Sequence, residues 1–193
     1  MAVKVAIIGL GIMGQRMLTN MRLHQNFEPD YLWDPDESAC HQAIILDPQS
    51  KIMNSANDAI SKADLVYLAC PPAVREPYAL AAAAAGKALF LEKPFGINFD
   101  DSAKLMARLQ AHNVPVAVNF TQASGAALTD LLAAKDRGEM GDLLGVDIIV
   151  TYPAWPRQWQ KGADWLRFRA EGGMTREVVF HFLFFTERVL GPL

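Results

Sequence analysis

Residues 3–14 read Val3-Lys4-Val5-Ala6-Ile7-Ile8-Gly9-Leu10-Gly11-Ile12-Met13-Gly14. An apolar run, Val3–Ile8, broken only by Lys4, ends in glycines spaced Gly-x-Gly-x-x-Gly, and a helical stretch over Met13–His24 opens at their end. A run that is apolar on both faces suits a strand of a parallel sheet covered by helices. Each glycine has a physical task in such a strand-to-helix turn: Gly9 makes it tight, Gly11 lets a pyrophosphate approach the backbone, and Gly14 brings the helix close to the sheet. The free N–H groups of the first helical turn and the helix dipole then face the anion. Ile12 and Met13 lie within the turn as cofactor or core contacts. An acidic residue follows about 20 residues later, Asp34, at the end of the run Tyr31–Trp33. A carboxylate there accepts hydrogen bonds from the adenosine ribose and repels a 2′-phosphate, and Pro35, Asp36 and Glu37 bring no cation to offset that repulsion. The expected cofactor is therefore NAD, with NADP disfavoured. The competing reading of Asp34 is a solvated turn aspartate.

The same rhythm continues outward from this turn. Apolar runs at Leu65–Cys70, Ala88–Leu91 and Val114–Phe120 alternate with helical stretches at Asp36–Leu46, Ala73–Ala85 and Asp100–His112. This alternation predicts βαβ units with right-handed crossovers, hence an α/β fold with a dinucleotide-binding Rossmann domain over residues 1–120. Past Phe120 the pattern changes. A helix is expected over Gln122–Gly138, a long strand over Leu143–Tyr152, a loop over Arg157–Glu171 and an apolar helix over Met174–Leu190. Residues 121–193 read as a partial second α/β domain, in which the strand has nothing to pair with. Self-association through Leu143–Tyr152 and the helix around Val178–Phe185, or loose ordering of 121–193, follows as an expectation.

Composition narrows the function classes. The 193 residues are 51% hydrophobic and 20% charged with a formal net charge of −3, which excludes a disordered chain and argues against wholesale nucleic-acid binding. No uninterrupted run is long enough for a membrane span, and the N-terminus has no signal-peptide pattern, so a cytoplasmic protein is expected. Cys40 and Cys70 lack metal spacing and a Cys–His arrangement and are read as structural; no metal site is expected.

Glu92-Lys93-Pro94 follows a core strand, Cys70-Pro71-Pro72 ends the preceding one, and Gly138-Glu139-Met140-Gly141 precedes the expected long strand. Trp165-Leu166-Arg167, then Gly172-Gly173 and a helix with Glu177 and His181, complete the series. In this order the motifs resemble the glucose–fructose oxidoreductase, inositol dehydrogenase and MocA-like family over the whole chain. The resemblance implies NAD(P)-linked interconversion of a secondary alcohol and a carbonyl on a sugar, polyol or diol-like small molecule. It implies a nicotinamide above the Cys70-Pro71-Pro72 turn and the Glu92-Lys93-Pro94 segment, with Lys93 stabilising the substrate oxygen. It also implies association through the second-domain sheet, although the strands that follow the catalytic helix in the family are absent from these residues.

Hydride transfer to or from a carbinol carbon needs a group that takes or gives the hydroxyl proton. Lys93 and His181 have that chemistry, and Glu177, four residues before His181, lies on the same helical face and can orient the imidazole. The bland alternatives are a surface lysine, a satisfied core histidine and a solvated carboxylate. Several residues depart from the family. Glu177 replaces the usual aspartate, Val179 a glycine, Gln122 an arginine and Arg75 a histidine. Arg75 is read either as holding an anionic group or as a surface residue; Trp155, Trp159 and Trp165 as sugar-stacking or packing groups. The alternative overall reading is a non-catalytic dinucleotide-binding or sensor protein.

Overall fold

A computed structural model describes residues 1–170 and 172–192, arranged as two compact units, Met1–Asn119 and Phe120–Leu193. The first unit runs β1 (Val3–Ile8), α1 (Ile12–Arg22), β2 (Phe27–Trp33), α2 (Glu37–Leu46), β3 (Lys51–Ile52), α3 (Ala56–Lys62), β4 (Leu65–Leu68), α4 (Glu76–Ala84), β5 (Ala88–Glu92), α5 (Phe99–Ala111) and β6 (Val116–Asn119). All six strands pair in parallel in the order β3-β2-β1-β4-β5-β6. This is the doubly wound Rossmann arrangement, in which the strand order reverses between β1 and β4 and opens a crevice at their carboxyl ends.

Two apolar cores flank the sheet. Val5, Ile7, Leu32 and Tyr67 meet Leu18 and Met21 of α1 and Cys40 and Ala43 of α2. On the other face Ala6, Ile8, Val66, Leu68, Leu89 and Leu91 meet α3, α4 and α5 through Ile60, Ala79, Ala82, Ala83, Leu105 and Leu109. The helices begin where the sequence offers caps. Asp36 accepts from the Ser38 amide at 2.8 Å, Ser55 from Asp58 at 3.0 Å, and Asn98 from Asp100 at 2.8 Å. The short pair β3 and α3 carries too few apolar residues to stand out in the sequence.

The second unit holds α6 (Ala126–Asp136), preceded by a 3₁₀ turn at Thr121–Ser124, and α7 (Phe180–Leu190), preceded by a π turn at Thr175–Val179. The expected continuous helices over Gln122–Gly138 and Met174–Leu190 are thus each divided at their amino ends. The Lys135 ammonium donates to the Val189 carbonyl at 2.6 Å, and Phe120 stacks on Phe184 with centroids 4.4 Å apart. The phenylalanines of α7 are half-buried.

The expected strand over Leu143–Tyr152 does not form; the segment has no regular secondary structure. A strand needs a neighbour for its backbone N–H and C=O groups, and among the described residues none pairs with it. Its apolar side chains stand in water instead, with Leu144 98% and Ile149 86% exposed. Such a row of exposed apolar residues drives association. Light scattering is expected to show concentration-dependent self-association that the double change Leu144→Lys with Ile149→Lys suppresses. An unchanged distribution of sizes would show that this row is not the contact.

Candidate functional site

The glycine triplet divides by what surrounds it. Gly9 has φ +96° and a Cβ there would stand 2.5 Å from the Cys70 nitrogen, so the position needs glycine both for its backbone and for the close passage of the chain after β4. At Gly14 a Cβ would lie 1.9 Å from the Gly9 carbonyl oxygen; here α1 is pressed against the turn. Gly11 differs. It is exposed, and a Cβ would meet nothing within 4 Å. The fold therefore explains Gly9 and Gly14, while Gly11 leaves an open approach to the backbone at the amino end of α1. That open approach, with two packed glycines around it, fits a pyrophosphate seated on the helix N-terminus.

Asp34 follows β2, half-buried. Its Oδ2 accepts from the Leu10 amide at 2.6 Å and its Oδ1 from the Asp36 amide at 2.9 Å. The carboxylate is thereby fixed against the glycine turn, and its remaining lone pairs are available to hydroxyl donors. Beside it lies a cleft of about 550 Å³ bordered by Trp33, Asp34, Pro35, His41 and Met53. Asp34 thus borders the cleft and is hydrogen-bonded to Leu10 of the glycine turn.

A second group of residues sits at the carboxyl ends of β4 and β5. The backbone ladder between these strands ends at Leu68↔Leu91, and beyond it the chains continue as Ala69-Cys70-Pro71-Pro72 and Glu92-Lys93-Pro94. Lys93 is half-buried and joined to Pro94 by a cis peptide bond. Glu92, 3% exposed, turns its carboxylate inward, where Oε1 accepts from the Tyr67 hydroxyl at 2.5 Å and from the Asn119 amide at 2.6 Å. Burial and the adjacent Glu92 carboxylate push the Tyr67 hydroxyl up, so it remains a donor. Residues of β4, β5 and β6 are in this way tied across the sheet immediately beside Lys93.

Arg75 corrects its reading as a surface residue. It is 2% exposed, and its guanidinium donates to three main-chain carbonyls, those of Cys70 (2.7 Å), Glu92 and Pro94 (2.5 Å). Burial pulls the guanidinium down from its ordinary value, and the Glu92 carboxylate opposes that pull. Burial likewise pushes the Cys70 thiol up, which agrees with a structural cysteine. The roles of Tyr67 and Asn119 went unread in the sequence. The available signal was a hydroxyl and an amide inside otherwise apolar strands, where each needs a buried partner.

In the second unit Gly172 packs against the short turn Asp164–Arg167; a Cβ on it would stand 2.7 Å from the Leu166 Cα. Gly173 has φ +86°, donates to the Leu166 carbonyl at 2.9 Å and accepts from the Glu177 amide at 3.0 Å, which starts the helical segment. Glu177 is buried in the π turn, a type of helical irregularity that recurs at functional sites. His181 follows in the first turn of α7, its ring edge-on to Phe120 with centroids 5.8 Å apart. Of the three tryptophans, Trp159 is engaged by Arg157, whose guanidinium lies 4.7 Å from its ring and 5.0 Å from that of Tyr152. Among the described residues no three His, Cys, Asp or Glu side chains are grouped to hold a metal ion, and no helix is long and apolar enough to cross a membrane.

Comparison with known proteins agrees with this architecture. A family model described as an oxidoreductase family with an NAD-binding Rossmann fold, GFO_IDH_MocA, matches residues 3–120. An inositol 2-dehydrogenase of Gluconacetobacter diazotrophicus is 32% identical over 102 residues, covering 51% of this chain and 30% of its own. A dTDP-3,4-didehydro-2,6-dideoxy-alpha-D-glucose 3-reductase of Streptomyces violaceoruber is 29% identical over 130 residues, 66% of this chain and 36% of its own. The fold is shared with the crystal structure of scyllo-inositol dehydrogenase from Lactobacillus casei with bound NAD(H) and scyllo-inositol, at TM-score 0.80 and 18% identity, covering 99% of this chain and 57% of that one. The chain spans less than half the length of the curated relatives it matches, the matched segments covering 30% to 46% of them. With more than half of its residues matched by the family model, and the glycine turn and parallel sheet in place, this chain belongs to the Gfo/Idh/MocA oxidoreductase family with an NAD-binding Rossmann fold.

Proposed function

We propose that the chain is an NAD-dependent oxidoreductase that interconverts a secondary alcohol and a carbonyl on a sugar, polyol or diol-like small molecule. The observation that carries this reading is the open face at Gly11, the one glycine of the turn that packing leaves unexplained. In this reading Gly9, Gly11, Ile12, Met13 and Gly14 hold the pyrophosphate and Asp34 the adenosine ribose. Cys70, Pro71, Pro72 and Glu92, Lys93 and Pro94 frame the nicotinamide end. When bound, the nicotinamide supplies or accepts the hydride.

The chain's own residues supply the remaining chemistry. The Lys93 ammonium donates to the substrate oxygen and stabilises the charge that grows there as an alkoxide forms. His181 exchanges the hydroxyl proton, a task for which the imidazole group is suited, and Glu177 orients the ring. The inositol and deoxysugar substrates named for the relatives support the polyol class.

A panel of sugars, polyols and diols with NAD and with NADP, followed by the absorbance of reduced cofactor, tests the reading. Turnover of at least one polyol with NAD is expected. Binding of NAD without turnover of any member would assign a dinucleotide-binding protein without catalysis. On cofactor choice, calorimetric titration is expected to show NAD bound at least about tenfold more tightly than NADP, a difference of about 1.4 kcal/mol. Asp34→Ala is expected to narrow that gap. Equal affinities in the parent would remove Asp34 from ribose recognition.

A further inference from the structure

The backbone of Lys93 is held by a device that its own side chain does not reveal. Strands β4 and β5 stop pairing at Leu68↔Leu91. Past that point Cys70 and Pro94 lie beyond their strands, Glu92 keeps only its β6 neighbour Asn119, and all three residues are buried. One side chain reaches all three. Arg75 lies between a 3₁₀ turn at Pro72–Val74 and α4; its Nη1 donates to the Glu92 and Pro94 carbonyls and its Nη2 to that of Cys70. Two of these acceptors flank Lys93 in sequence, and the third belongs to the facing chain.

We infer that Arg75 is a positioning residue: its guanidinium replaces the ladder where β4 and β5 stop pairing, and fixes the backbone on both sides of Lys93. The functional part of this inference rests on the reading of Lys93 given above. The planar fork suits the task, because its several donors diverge in fixed directions. A lysine offers one compact ammonium and reaches fewer of the three carbonyls. The Glu92 carboxylate, anchored by Tyr67 and Asn119, holds the same segment from its side chain, while Arg75 holds it from the main chain. Lys93 is thus bracketed by two fixed residues.

The test compares Arg75→Met and Arg75→Lys with the parent by amide hydrogen exchange, calorimetric titration with NAD, and turnover of a polyol that the parent oxidises. Arg75→Met is expected to speed exchange at Lys93 and Phe95 by about tenfold or more while the amides of β1 remain as slow as in the parent, a local opening rather than a global one. NAD affinity is expected to stay within about threefold, while kcat falls about 100-fold, as misplacement of a reacting group does. Arg75→Lys is expected to recover part of both losses. If Arg75→Met does not fold, Arg75→Lys alone carries the exchange measurement, with an intermediate opening expected. Unchanged exchange at Lys93 and Phe95 in a folded variant, or an equal rise throughout β1–β6, would overturn the inference. Lys93→Met separates the two readings: full turnover in that variant removes Lys93 from the chemistry, yet leaves the exchange result at Arg75 to stand or fall by itself.

Discussion

Lys93→Met is expected to lower kcat by roughly 10²–10³-fold, the loss seen when one donor to a developing oxyanion is removed. Methionine keeps the length and apolar stem of lysine, so the half-buried position stays filled and only the ammonium is lost. In the proposed roles the pyrophosphate and adenosine ribose are held by the glycine turn and Asp34, so NAD affinity should remain within about threefold of the parent. The proportions matter more than the total. A change confined to KM would mean that Lys93 holds the substrate equally before and during reaction, whereas a change in kcat marks a contact that strengthens as charge develops. Steady-state rates over a range of substrate concentration, beside a cofactor titration on the same preparation, decide it. Near-parental rates would exclude the proposed role.

The second large effect lies in the glycine turn, where two neighbouring substitutions should fail in opposite ways. Gly14→Ala forces a Cβ to within 1.9 Å of the Gly9 carbonyl, a backbone atom that cannot swing aside. Separation of α1 from the turn should cost about 3 kcal/mol, the upper end for overpacking, and appear as a lowered melting temperature even without cofactor. Gly11→Ala should melt like the parent, since its φ of −68° is open to any residue and its Cβ meets nothing within 4 Å. Its deficit should appear only on titration, as a loss of about tenfold or more in NAD affinity, or about 1.4 kcal/mol. Equal NAD affinity for Gly11→Ala and the parent would show that no ligand approaches that face.

The legible parts of the molecule were those whose physics is local. Gly9 and Gly14 announce a turn because no other residue tolerates the required backbone or spacing, and Val3–Ile8 announces a doubly covered strand by its lack of a polar face. The Leu143–Tyr152 segment shows the limit of the same approach: its side chains have strand character, but a strand is a property of two segments, and the partner was not in the pattern. Arg75 was misread for a related reason. Its three acceptors come from Cys70, Glu92 and Pro94, brought together only because two parallel strands end side by side, and nothing in its immediate neighbours signals burial. Tyr67, Glu92 and Asn119 are likewise joined across strands, over 25 and 27 residues of chain.

The alanines of α4 acquire a different meaning from this geometry. Ala79, Ala82 and Ala83 are all but inaccessible and pack with Ile60, Leu89 and Leu105, so the helix rides nearly at backbone contact on its neighbours. Arg75 is the residue from which that helix springs. The run of methyl groups is a spacer of fixed thickness, and it sets the distance from which the guanidinium reaches the three carbonyls. For anyone remodelling this protein, the alanine-rich stretch is therefore dimensionally constrained: thicken it by a few methylenes and the reach of Arg75 is wrong before any reacting atom has been touched.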